Sequence, residues 1–131
     1  MWPSVVVRAA IVLLCAAGIA VAIVSHRSQR NLDEGFERVV AGAFDERTRE
    51  LLEDARPLNP DTRIEQGLAV VSHEDGRDGL PFLRRALDRE PDNVGLVVAY
   101  GVLLAAVGRS AEAERANDRA SELDPQRFQA R

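Results

Sequence analysis

The sequence contains no lysine, and all 17 of its basic residues are arginine. It has one cysteine, Cys15, and six aromatic residues in 131. A single thiol can close no intrachain disulfide and build no cysteine zinc site, so the fold rests on packing. With few aromatics, the core must come from Leu, Val and Ala, which suits closely packed helices. The first 24 residues hold one charged side chain, Arg8, and all 21 acids lie from Asp33 onward. From Asn31 on, 14 arginines face those 21 acids. That acidic balance repels phosphate backbones and excludes nucleic acid as a partner. No lysine-bearing glycine loop for phosphate occurs, and no stretch reads as a strand in its context.

What is present begins with an oily run. Val5 to Val24 is twenty residues long with one charge. As a helix it spans roughly 30 Å, the depth of a bilayer's hydrocarbon core. An arginine at the centre would cost ~2.5–3.5 kcal/mol. Arg8 lies one turn from the start, where its side chain reaches the headgroups at smaller cost. Trp2 stands where an interfacial aromatic is expected, and His26, Arg27 and Arg30 end the run. Residues 1–30 therefore read as a single-pass anchor in the cell membrane with a basic flank. The alternative is an exported soluble protein cleaved near Ala22, since Ala20-Val21-Ala22 fits a small-x-small site. Against it, the apolar run continues through Ile23 and Val24 with no helix breaker. A lipoprotein signal at Cys15 is a poor fit because Leu14 precedes it. A buried core helix is disfavoured by length and by the lack of a polar face. Basic residues flank both ends, so the side of the membrane stays open.

The remainder repeats itself. Leu58-Asn59-Pro60-Asp61, Glu90-Pro91-Asp92-Asn93 and Leu123-Asp124-Pro125 look alike, and each proline has an alanine five residues earlier: Ala55, Ala86 and Ala120. Pro91 and Pro125 are 34 apart, and Pro60 and Pro91 are 31 apart. The pattern resembles the tetratricopeptide repeat, a 34-residue helix-turn-helix with small residues at the helix crossing and a closing proline. In the last unit the matching positions are Val97, Tyr100, Gly101, Leu104, Gly108, Ala113, Ala120 and Pro125, with Asn117 departing from a large apolar residue. In the middle unit they are Gly76, Gly79, Leu83, Ala86 and Pro91, and in the earliest unit Leu52, Ala55, Leu58 and Pro60. The resemblance implies an all-α chain: an N-terminal transmembrane helix followed by a short solenoid of helical hairpins. Residues 31–61 form a helical segment or degenerate first repeat, 62–93 and 94–127 two repeats, and 128–131 a tail.

Elementary physics supports the pattern independently. A small side chain at a crossing lets two helix axes approach, and proline halts the second helix of a pair. Asp61, Asp92 and Asn93 are placed to cap following helices, Ser110 reads as a cap for the last one, and Pro81 sits in a first helical turn. From Leu32 to Ala55 the apolar positions keep a helical period, as one long helix or as a hairpin turning at Gly42. Val94–Val107 is apolar around its circumference and needs cover on most sides.

Nothing reads as a catalytic, cofactor-binding or metal site. Ser72-His73-Glu74-Asp75 is the best polar cluster; it reads more simply as a helix end than as a metal or proton-transfer site. The paired acids Asp33-Glu34, Asp45-Glu46 and Glu53-Asp54 read as solvated faces. The resemblance implies a protein or peptide ligand in a groove of first helices, with Arg63, Gln66, Val70, Val97, Tyr100 and Leu104 as its lining. The expected role is a membrane-tethered adaptor. The all-arginine, Ala/Val-rich composition suggests a bacterial cell-envelope complex. The alternative is a structural subunit that self-associates or packs on a larger membrane protein through its apolar last repeat.

Overall fold

The computed structural model describes the backbone of residues 2–129 and the side chains of residues 5–128. The Trp2 side chain, read above as an interfacial aromatic, lies outside the described side chains, as does the end of the 128–131 tail. The described residues form seven helices and no strand: α1 Trp2–Val40, α2 Glu46–Asp54, α3 Arg63–Glu74, α4 Leu80–Arg89, α5 Val94–Ala106, α6 Ser110–Leu123 and α7 Pro125–Gln129. The end of α1 pairs with α2, α3 with α4, and α5 with α6; α3 also packs on α1 and α2, and α5 on α4.

The three hairpins close in one way. Gly42, Gly76 and Gly108 have φ of +78°, +72° and +81°, the left-handed region that only glycine adopts without strain. Around each, two backbone bonds form the same helix-ending motif. Ala43 N–H donates to Arg38 O (2.8 Å), Arg77 to Ser72 O (2.7 Å) and Arg109 to Leu104 O (2.8 Å), while the glycine N–H donates three residues back. The stretch from Leu32 to Ala55 is thus a hairpin turning at Gly42, and it makes a third unit.

The junctions between hairpins correct the repeat register read from the sequence. Asn59 N–H donates to Arg56 O, and Asn93 N–H to Glu90 O, each at 3.2 Å. The proline at the second position of these matching turns is Pro57 in the first and Pro91 in the next. Pro57, Pro91 and Pro125 are evenly spaced by 34 residues. Pro60 lies beyond the turn, and Ala55 caps the end of α2, whereas Ala86 and Ala120 lie inside their helices. The apparent 31-residue unit came from pairing the wrong proline.

One expected boundary is crossed by a helix. α1 runs through residues 30 and 31 without interruption. Every side chain from Val5 to Val24 is exposed, and burial begins at Ser28 and Leu32. Ser28 Oγ donates to Ala55 O, clamping the end of α2 to α1. One core cluster joins Leu32, Leu52, Ala55, Ile64, Leu68 and Val71; a second joins Ala69, Leu80, Leu83, Ala86, Leu96, Leu103, Leu104 and Ala113. Phe82 bridges them.

Close approaches explain four glycines. A Cβ on Gly67 would stand 2.7 Å from Leu52 Cδ1, and one on Gly35 3.0 Å from Leu52 Cδ2. A Cβ on Gly79 would lie 2.3 Å from Ala69 O, so α3 and α4 touch backbone to side-chain-free backbone there. Gly79 caps α4 rather than lying within it. Gly101 faces Asn117 Oδ1 at 3.1 Å and Ala116 Cβ at 3.3 Å, the crossing of α5 and α6.

The caps differ in part from expectation. Asn93 Oδ1 accepts from Leu96 N–H (3.2 Å) and Asp61 Oδ1 from Arg63 N–H (2.9 Å). Ser110 is the first residue of α6 and makes no capping bond; Arg109 precedes the helix with its backbone alone. Asp92 pairs with Arg119 at 3.6 Å instead of capping. Asp45, read as part of a solvated face, is the cap of α2. Its Oδ1 accepts from Thr48 N–H at 2.9 Å and its Oδ2 from Arg38 Nη2 at 2.6 Å. The Thr48 backbone bond, then Arg38 and the Thr48 hydroxyl, hold the Asp45 carboxyl down at about 2.

Candidate functional site

The first helices of the three hairpins present side chains to one common groove. Phe36 and Val39 come from α1, Gln66, Val70 and His73 from α3, and Ala99, Val102 and Ala106 from α5. The recess measures about 400 Å³, and its walls are nearly all hydrocarbon. Val102 is 64% exposed and Val70 39% exposed within it. Gln66, His73 and Glu74 supply its polar rim. Exposed β-branched side chains in a concavity, beside a core that has taken up Leu103 and Leu83, form a surface suited to apolar contact.

Among the six residues read as groove lining, Gln66 and Val70 line this recess. Arg63 stands apart: its guanidinium lies 5.8 Å from the Phe36 ring centroid and 2.7 Å from Asp61 Oδ2, with Asp33 at 3.8 Å. The hydrogen bond from Arg63 pulls the Asp61 carboxyl below its ordinary value, and Asp61 in turn raises Arg63. Val97, Tyr100 and Leu104 are not in the groove. They border a separate cleft of about 510 Å³ between α4 and α6, with Leu87, Glu112 and Arg119. Val97 and Leu104 are buried there, and Tyr100 Oη accepts from Arg84 Nε at 2.9 Å. The correction has a simple cause. Val97, Tyr100 and Leu104 lie on the side of α5 that faces α4 and α6, the second helices of two successive hairpins. The groove takes the adjacent face of α5, Ala99, Val102 and Ala106. The alternation of Ala with Val on that face was the available sequence signal.

The Ser72–Asp75 cluster forms a tie between hairpins. Arg49 of α2 donates to Ser72 Oγ at 3.2 Å and pairs with Asp75. His73 sits at the rim of the groove. Among the described residues, no three of His, Cys, Asp and Glu gather as a metal site. The Glu65 carboxylate, 5% exposed, lies 2.7 Å from the Arg89 guanidinium and ties α3 to α4.

Three consecutive helical hairpins, closed by identical glycine turns and sharing one groove of first helices, define a helical-repeat interaction domain. Residues 70–131 match the family model described as tetratricopeptide repeat, and that stretch is of the tetratricopeptide repeat family. No curated protein and no solved structure matches the chain. The match runs from the later part of α3 through α4 and the third hairpin. The first hairpin lies upstream of it and departs from the pattern by large leucines facing glycines.

Proposed function

We propose that the protein is a membrane-tethered adaptor that takes an apolar-faced helix or peptide of a partner protein into the groove between α1, α3 and α5. The observation that carries this reading is the solvent-facing hydrocarbon wall of Phe36, Val39, Val70 and Val102, opposite a polar rim. Burying such side chains on a partner is worth ~25 cal/mol per Å² of apolar surface, before the costs of association. The tether is supported by α1. Among the described residues it is the one helix long and apolar enough to cross a bilayer, and none of its most apolar stretch is buried by the rest of the chain. Tethering raises the effective concentration of the groove around membrane-bound partners without a new contact. The composition fits a bacterial envelope complex.

Two measurements test this. Val102→Glu places a charge in the groove at an exposed site, so the fold persists; crosslinked partner recovered from membranes should fall at least ten-fold. Equal recovery with both Val102→Glu and Val70→Glu removes the groove from the mechanism. Retention of the full chain in the membrane pellet after alkaline carbonate extraction tests the tether. A second reading, self-association through the last repeat, is favoured by Leu123 and Phe128, which are 36% and 38% exposed at the end of α6 and on α7. A monomeric sedimentation profile of the full chain in detergent counts against it.

A further inference from the structure

We infer that the turn Arg56–Asn59 is a second membrane contact, with Leu58 seated in the bilayer interface beside the end of the apolar segment. The inference rests on the proposed membrane span of α1.

Position comes first. α2 runs antiparallel to α1: Asp45 and Thr48 meet Arg38, Leu51 and Leu52 meet Gly35, and Ala55 meets Ser28. Each step along α2 thus moves back toward the oily end of α1. Ser28 lies one helical turn, roughly 6 Å, past Val24. The chain leaving Ala55 continues in that direction, and Pro57 borders the same surface recess as Val24 and Arg27. The turn therefore stands level with the last residues of the apolar run, where lipid headgroups would meet hydrocarbon.

Chemistry comes second. Leu58 is 65% exposed, and it is the one non-glycine residue with positive φ (+56°) among the described residues. Asn59 N–H donates to Arg56 O, so Pro57 and Leu58 are the two central residues of a turn whose second centre takes a left-handed backbone. That position favours glycine or asparagine. The chain instead carries a large apolar side chain there, strained in its backbone and uncovered by protein. A bilayer interface supplies the missing cover. Arg27 borders the recess beside the turn, and Arg56 opens the turn, paired with Glu53 at 3.1 Å; the long side chain of each can lay its stem along hydrocarbon with its head at the phosphates.

The matching turn one repeat later sharpens the case. Glu90–Asn93 has the same backbone bond and the same proline position, yet Asp92 stands where Leu58 does. Asp92 has no positive φ. The apolar tip occurs only at the junction held against α1, and the next junction is acidic.

The full chain is reconstituted in phosphatidylcholine vesicles, with Cys15→Ser and a single new cysteine at Leu58→Cys or Asp92→Cys carrying an environment-sensitive fluorophore. The label at 58 should emit at least 10 nm to the blue of the label at 92. Brominated lipid should quench it at least three-fold more. Equal emission and equal quenching by aqueous iodide, in vesicles that float with the protein, overturn the contact and leave the span intact. Protein that fails to float with vesicles overturns the span, and this contact with it. A second variant guards against a misfolded turn. In a Leu58→Gly background, whose backbone suits the turn, a label at Arg56→Cys should become at least twice as accessible to iodide. No change there also overturns the contact.

Discussion

The first and last hairpins reach the same shape by opposite means. In the last, small residues let helices approach: Gly101 meets Ala113 and Ala116, and Ala120 is fully buried. In the first, a large residue does the filling. Leu52 is fully buried, and its side chain occupies the space left free by Gly35 on α1 and Gly67 on α3. Polar clamps then hold the pair together, Ser28 on Ala55 and Arg38 on Thr48 and Asp45, and Arg49 ties it to the next hairpin through Ser72 and Asp75. The difference teaches that a repeat is defined by the distance between helix axes. Either partner at a crossing can supply the bulk, provided the other withdraws it.

This contrast can be broken at its strongest point. Leu52→Ala empties the space between two glycines that cannot fill it, and should cost about 2–5 kcal/mol. Denaturant unfolding of the full chain in detergent measures the loss, and hydrogen exchange should place it in α2 and α3. Gly79→Ala forces a methyl against Ala69 O and should cost roughly 1–3 kcal/mol, this time within the middle hairpin. Thr48→Val removes a buried hydroxyl that lies 2.7 Å from Ala43 O and 2.9 Å from Arg38 Nε, leaving both without that partner. Its cost should be about 1–2 kcal/mol, confined to the first hairpin.

Acid should separate the two hairpins further. The Asp45 carboxyl titrates at about 2 in the fold against an ordinary value of 3.8. A depressed folded value means the bound, ionised form stabilises the fold at pH values above 3.8. That contribution is lost as pH falls from about 4 toward 2. Exchange of the Thr48 amide should therefore accelerate in that window relative to amides of α6. The smallest effect is expected from Arg119→Ala. It removes an exposed donor to Pro91 O at 2.8 Å and should shift stability by less than about 1 kcal/mol.

Much of this architecture was legible in the residues. The oily run, the turns at Gly76 and Gly108, and the small residues of α5 and α6 follow from spacing and from the backbone freedom of glycine, while spacing alone leaves Gly42 open between a hairpin turn and one long helix. Three features were not. Pro57 and Pro60 both adjoin the Leu58-Asn59 pair, so the local likeness points to Pro60; the 34-residue spacing to Pro91 and the Asn59–Arg56 backbone bond single out Pro57. The groove face of α5 was misplaced because a helix apolar on all sides carries no period to mark which side is covered. Asp45 reads in the sequence as a surface acid, since nothing there marks that α2 begins at Glu46 with Thr48 N–H free to be capped. The groove face concerns a contact between segments, which local pattern does not encode; the Pro57 turn and the Asp45 cap rest on bonds between residues three apart.

The unbroken rod of α1 makes residue count a determinant of aim. With no glycine or proline between Gly18 and Gly35, the oily stretch and the first wall of the groove turn as one body. One residue added between Val24 and Ser28 would swing the groove by about 100° around the rod and lift it about 1.5 Å; seven would restore the heading to within about 20° and raise it about 10 Å.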